Sequence, residues 1–147
     1  MSELPGSILF ACTHNVIRSP MAEAIMRYLH GRKVYVQSAG VRPHEPDPFA
    51  VAAMDEIGID LSRHRPRSFD ELEDDYFDVV VSLSPEAQHR AVELTRNSHC
   101  EIEFWHMPDP SLVDGSRETR LDAYRGLRDL LMRRIQERFP SEGSPQL

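Results

Sequence analysis

The chain has 147 residues, 40% hydrophobic and 28% charged, with a formal net charge of −7. That length suits one domain with a real hydrophobic core, and the negative charge argues against nucleic acid or a membrane surface as partner. No run reaches the roughly 18 apolar residues of a membrane span, and no basic segment followed by an apolar one opens the chain. The two cysteines, Cys12 and Cys100, make neither a disulfide framework nor a paired metal site, so a cytoplasmic protein without metal or other cofactor is expected.

Ser7 to Ala11 is a short apolar run that reads as a buried strand. From Pro20 the period becomes helical, with Met21, Ile25, Tyr28 and Leu29 on one side and Gly31 closing the segment. "KVYVQS" (33–38) alternates and predicts a second strand, followed by the proline-rich loop "GVRPHEPDP" (40–48). Asp47 is placed to cap a helix with Pro48 in its first turn, running through Val51, Met54 and Ile57 to Gly58.

A basic loop, "RHRPR", then leads to a short acidic helix expected over Phe69–Tyr76. Phe77–Leu83 predicts a third strand, and Ser84-Pro85 opens a helix with Ala87, Ala91 and Leu94 on one side. Ile102–His106 reads as a fourth strand. A last helix from about Ser116 presents Leu121, Tyr124, Leu127, Leu131 and Ile135 before Pro140 stops it. Residues 1–140 are therefore expected to form a single domain, with 141–147 a disordered tail. Strand and helix alternate throughout, which predicts an α/β fold with three layers: a four-stranded parallel sheet with helices on both faces.

In open sheets of this kind ligands bind beyond the carboxyl ends of the strands, and Cys12 lies at such an end. The segment "ACTHNVIRSP" (11–20) then supplies what an anion needs. Unpaired amides at a helix N-terminus and the helix dipole favour negative charge there, and Arg18 offers a planar fork for two oxygens. The same surroundings favour a thiolate: a free thiol near pKa ~8.5 is brought to roughly 3.5–7.5 beside cations and helix N-termini. Ser19 can donate to the sulfur, and Asn15 tolerates the positive φ of a tight cradle. Thr13, His14, Asn15, Val16, Ile17 and Ser19 are thus the candidate substrate-binding residues around the catalytic pair Cys12 and Arg18. Against this stands the plain alternative that Cys12 is a buried core residue.

"ILFACTHNVIRSPMAEA" resembles the phosphate-binding loop of the low-molecular-weight protein tyrosine phosphatase superfamily, which also contains the thioredoxin-coupled arsenate reductases. The likeness continues through "VQSAGV", "MDEIGIDLSRHRPRSF", "FDVVVSLSPEA" and "PDP", over roughly residues 7–139. It implies Cys12 as nucleophile, Arg18 as ligand of the phosphoryl oxygens, and Ser38 as a support of the loop. It also implies the fold already predicted from the alternation of elements.

Cleaving a phosphate ester needs a proton for the leaving oxygen. Two aspartates occur in Pro-Asp-Pro, Asp47 and Asp109; Asp47 reads as a helix cap, whereas Asp109 follows the fourth strand at the sheet edge that carries Cys12. Asp109 is therefore the expected acid, in agreement with the resemblance, and Asp114 is a more distant candidate. The expected reaction is hydrolysis of phosphate monoesters, phosphotyrosine in particular, through a cysteinyl-phosphate. Its partner would be a phosphorylated protein or a small phosphate ester.

Departures from the phosphatase pattern leave other readings open. His14, Ile17 and Ser111 stand where those phosphatases often carry glycine, a second cysteine and an aromatic residue, and the resemblance there leans toward the arsenate reductases. Ser84 stands where those relatives carry the first relay cysteine, so arsenate reduction would require an external small thiol. A catalytically weak binder of phosphate or phosphoproteins is the third reading. Phe49, Tyr76, Trp105 and His14 are candidates for an aromatic wall, although Phe49 and Trp105 read better as core. Arg42, His44, Arg63, His64 and Arg65 make either a basic rim or solvated loop charge, and His64 alternatively braces the loop.

Overall fold

In the computed structural model, which describes residues 4–141, the apolar run becomes β1 (Ser7–Cys12), an inner strand of the sheet. β2 (Tyr35–Gly40) pairs on one side of it and β3 (Val79–Ser82) on the other, with β4 (Glu101–Phe104) at the far edge. The order is β2-β1-β3-β4 and every pairing is parallel. A parallel sheet covered on both faces needs strands that are apolar throughout, which is why "ILFA" and "VVV" do not alternate.

Successive side chains divide between two cores. Ile8, Phe10 and Cys12 face the larger one, shared with α1 (Arg18–His30), α2 (Pro48–Asp55) and α4 (Arg117–Arg138). Leu9 and Ala11 face the smaller one, closed by Ala87 and Ala91 of α3 (Pro85–Leu94). The expected three-layer fold is present. Caps fall where the residue types predict them: Asp47 accepts the amides of Phe49 and Ala50, Ser84 that of Ala87, and Ser116 that of Thr119.

Several expectations need correction. The acidic helix over 69–76 is one 3-10 turn, Phe69–Glu71, closed by a reciprocal Ser68–Glu71 capping box. Only Phe69 of that turn is buried, so the acidic residues beyond it gain nothing from continuing a helix. α1 starts at Arg18, two residues before Pro20, and the fourth strand ends at Phe104. Tyr28, Ile57 and Leu94 are exposed rather than inward-facing, while Met26 fills the core beside Ile25. Apart from Ser141, the expected tail 141–147 lies outside the described residues. Among the described residues no helix is long and apolar enough to cross a membrane.

The register fixes where chemistry can gather. Cys12 pairs with Gly40, and Ala11 pairs with Ser82, which pairs with Phe104. The carboxyl ends of the strands are therefore level, and the loops that leave them converge.

Candidate active site

Residues 13–17 belong to neither the β1 ladder nor the α1 helix, and they bend around the Cys12 side chain. The sulfur accepts the backbone N–H of Asn15 at 3.3 Å and of Ser19 at 3.4 Å, and the Ser19 hydroxyl lies 2.9 Å away. Three donors converge on one sulfur, the arrangement that solvates a thiolate inside protein. Cys12 is 2% exposed, so water cannot do so in their place.

The bend turns on Asn15, whose φ of 56° is the one positive value among described non-glycine residues. A side chain pays for that backbone only if it is anchored, and Asn15 is. Its amide nitrogen donates to Ser19 Oγ at 2.9 Å and to Ser38 Oγ at 3.0 Å, and its carbonyl oxygen accepts the Arg67 amide at 2.9 Å. Ser38 in turn donates to Glu23 Oε1 at 2.7 Å. The His64 Nε2–H donates to the Asn15 backbone carbonyl at 3.0 Å.

Glu23 and Arg67 are parts of this network that sequence reasoning missed. Glu23 is 4% exposed on the inward face of α1, and a carboxylate there needs partners. It has Arg27 at 2.9 Å and the Ser38 hydroxyl, with His64 at 3.5 Å and Arg67 at 3.9 Å. The available signal was an acid four residues after Ser19 and four before Arg27 on a helix face that must be buried. Burial holds His64 below its ordinary pKa despite the pull of Glu23, whose charge Arg27 already shares.

Arg18 opens α1 and donates from Nη1 to the Met107 carbonyl at 3.2 Å, which ties the cradle to the loop after β4. That loop carries Asp109, whose carboxylate accepts the amide and hydroxyl of Ser111 at 3.0 and 2.6 Å. Asp109 lies close enough to His14 to raise its proton affinity, but burial, His44 and Arg42 together hold the His14 pKa down. The rings of His14 and His44 stack 3.9 Å apart, with the His44 amide on the His14 carbonyl. Thr13 donates to Ser84 Oγ at 3.0 Å, so the residue that caps α3 also touches the cradle. Val16 and Ile17 bury their side chains in the larger core, leaving backbone to face the loop interior.

Cys12, Arg18, Asp109, the residues 13–17, Ser19 and Ser38 thus share one end of the sheet. Other candidates do not join them. Arg42 lies against the cradle, its amide on the Thr13 carbonyl, but its guanidinium is paired with Glu86, and His64 lies behind the cradle rather than on its rim. Trp105 is core, and Tyr76 lies in the loop that enters β3, at the other end. Cys100 is only partly buried and immediately precedes β4. The register puts it about 19 Å from Cys12, too far for a disulfide. Among the described residues no group of three His, Cys, Asp or Glu is gathered to hold a metal ion.

A buried thiol in a bend at the carboxyl edge of a parallel sheet, receiving backbone amides, with an arginine opening the helix that follows, is an arrangement suited to a tetrahedral oxyanion. The model of the low molecular weight phosphotyrosine protein phosphatase family matches residues 7–139, and the chain belongs to that family. It is 33% identical over 130 residues to the arsenate reductase of Bacillus subtilis, covering 88% of this chain and 92% of that protein. Among solved structures it resembles an arsenate reductase in the phosphate binding state, with TM-score 0.69, 28% identity and coverage of 89% and 94%. It also resembles the low molecular weight protein tyrosine phosphatase from T. tengcongensis, with TM-score 0.74, 26% identity and coverage of 89% and 95%.

Proposed function

We propose that this protein reduces arsenate, using Cys12 as nucleophile and a low-molecular-weight thiol from outside the chain as reductant. The observation that carries the reading is the 33% identity to an arsenate reductase across almost the whole chain. The rim agrees with a small, bare oxyanion: the residue after Asp109-Pro110 is Ser111, folded back on Asp109, rather than a ring to hold a phenyl ester. An external thiol is required because Cys100 is out of reach and Ser84, beside the cradle, cannot form a disulfide.

In this reading Cys12 attacks arsenic while Arg18 and the amides of the bend hold the remaining oxygens, and Asp109 protonates the oxygen that leaves as water. The external thiol then attacks the Cys12 sulfur. The S–As electron pair passes to arsenic, arsenite departs, and a mixed disulfide remains. A second thiol restores Cys12 and leaves as the disulfide, so two thiols supply the two electrons.

A second reading, hydrolysis of phosphate monoesters, is favoured by the family and by Asp109 in a position to protonate an alcohol or phenol. It uses the same first step on phosphorus, with water resolving the cysteinyl-phosphate. Purified protein given arsenate and glutathione tests the choice. Arsenite formation that survives in Cys100→Ser and is abolished in Cys12→Ser supports reduction. Hydrolysis of a phenyl phosphate ester without arsenite formation would transfer the conclusion to the phosphatase. Tight phosphate binding with neither turnover would leave an oxyanion-binding protein.

A further inference from the structure

Arg117 and Arg120, in the first turn of α4, both lie against the ring of Phe49, with their guanidinium carbons 5.7 and 4.7 Å from its centroid. Among the described residues neither meets a carboxylate, although the chain carries 24 Asp and Glu against 17 Lys and Arg. The nearby acids are committed elsewhere: Glu118 to Arg125, Asp47 to Tyr124 and the α2 amides, and Asp109 to Ser111. A guanidinium laid on an aromatic face keeps its N–H edge outward, in the geometry that takes carboxylate oxygens two at a time.

The place of this pair is fixed by its neighbours. Phe49 stacks on Tyr124 at 5.3 Å, and the Tyr124 hydroxyl donates at 2.8 Å to Asp47, which caps α2 in the loop that leaves the carboxyl end of β2. α4 begins at Arg117, five residues after Leu112 closes the turn that Asp109 caps. The two arginines therefore stand at the end of the sheet that carries Cys12, just past the acid-bearing turn. We propose that Arg117 and Arg120, stacked on Phe49, bind the carboxylates of an anionic γ-glutamyl peptide thiol such as glutathione and aim its sulfur at Cys12. This rests on the external-thiol reading above, which requires a reactant that the cradle itself does not hold.

The test separates the two through disulfide exchange, which needs no arsenate. In a Cys100→Ser background the Cys12 thiolate attacks glutathione disulfide; a Cys12–glutathione bond forms, the original S–S bond breaks, and one glutathione thiolate leaves. Mass spectrometry gives the rate, and hydroxyethyl disulfide serves as the neutral comparison. In Arg117→Ala/Arg120→Ala the anionic disulfide is expected to react about tenfold more slowly and the neutral one at the unchanged rate. Arg32→Ala/Arg96→Ala, which removes the same charge beyond the C-terminal ends of α1 and α3, is expected to change neither. Equal slowing of both disulfides, no slowing, or the same slowing in the distant double variant overturns the proposal. Retained disulfide selectivity without arsenite production from arsenate and glutathione would instead sink the arsenate reading and leave the thiol site standing.

Discussion

The Ser19 hydroxyl lies 2.9 Å from the Cys12 sulfur and accepts, also at 2.9 Å, the side-chain amide of Asn15. Because its oxygen already accepts from Asn15, its single proton is free to point at the sulfur. Ser38, the other acceptor of that amide, sends its own proton away from the site to Glu23. One buried amide therefore orients two hydroxyls, and a carboxylate on the far side of the cradle helps to decide the direction.

Ser19→Ala removes the donor that this network aims at sulfur. A hydrogen bond to a charged group contributes about 1.5–3 kcal/mol, so alkylation of Cys12 by iodoacetamide is expected to slow by roughly tenfold or more. The Asn15 amide also loses a partner, at a cost of about 1–3 kcal/mol in stability. Alkylation in a Cys100→Ser background and urea denaturation measure the two effects. An unchanged alkylation rate would show that the hydroxyl does not serve the thiolate.

Gly40 is where β2 passes the cradle. A Cβ built there would lie 2.8 Å from the Asn15 backbone nitrogen and 2.9 Å from the His14 carbonyl carbon. Both are backbone atoms in the bend, so relief requires moving the loop itself. Gly40→Ala is expected to lower the melting temperature by several degrees, as core overpacking costing about 1–3 kcal/mol does, and to weaken phosphate binding in parallel. Calorimetric titration with phosphate alongside thermal melts checks whether the losses coincide.

The sheet was legible because both core strands are apolar without interruption, and the bend around Cys12 because a cysteine followed by polar residues stands between such a strand and a helix. The supporting shell was legible only at Ser38 and His64. Glu23 looks like any surface acid until α1 is known to bury that face, and Arg67 reaches Asn15 from 52 positions away. The acidic segment after Phe69 misled because its composition suits a helix, whereas burial stops after the first residue of the turn. His44 read only as rim or solvated loop charge, since its stacking on His14 depends on the chain closing back over the cradle.

Half-buried His64 titrates below its ordinary value of 6.5, held down by its desolvation. As pH falls below 6.5 the unfolded chain takes up this proton before the native state does, so stability is full above 6.5 and declines until the native histidine protonates. His64→Gln keeps a donor for the Asn15 carbonyl but cannot titrate. Denaturation at pH 7.5 and 5.5 is expected to show a smaller loss on acidification in the variant. An equal loss would place the pH dependence on other groups.

Asp47 and Asp109 share the tripeptide Pro-Asp-Pro, and their surroundings predict opposite consequences of losing them. Asp47 Oδ1 accepts the Phe49 amide at 2.8 Å, while its Oδ2 accepts the hydroxyl of buried Tyr124 at 2.8 Å. Burial and that bond push the Tyr124 phenol well above its ordinary pKa, so it remains the donor at any working pH. Asp47→Ala is therefore expected to cost about 1–2 kcal/mol for the cap, and further for the stranded hydroxyl, with turnover at low temperature largely retained. Among the described residues the Asp109 carboxylate bonds only its own turn at Ser111, contacts that an asparagine oxygen can keep. Asp109→Asn is expected to melt like the parent while turnover falls about 10²–10³-fold, the contribution of a positioned proton donor. Thermal melts paired with turnover on both variants decide it: activity lost with Asp47 and stability lost with Asp109 would reverse the assignment of cap and acid.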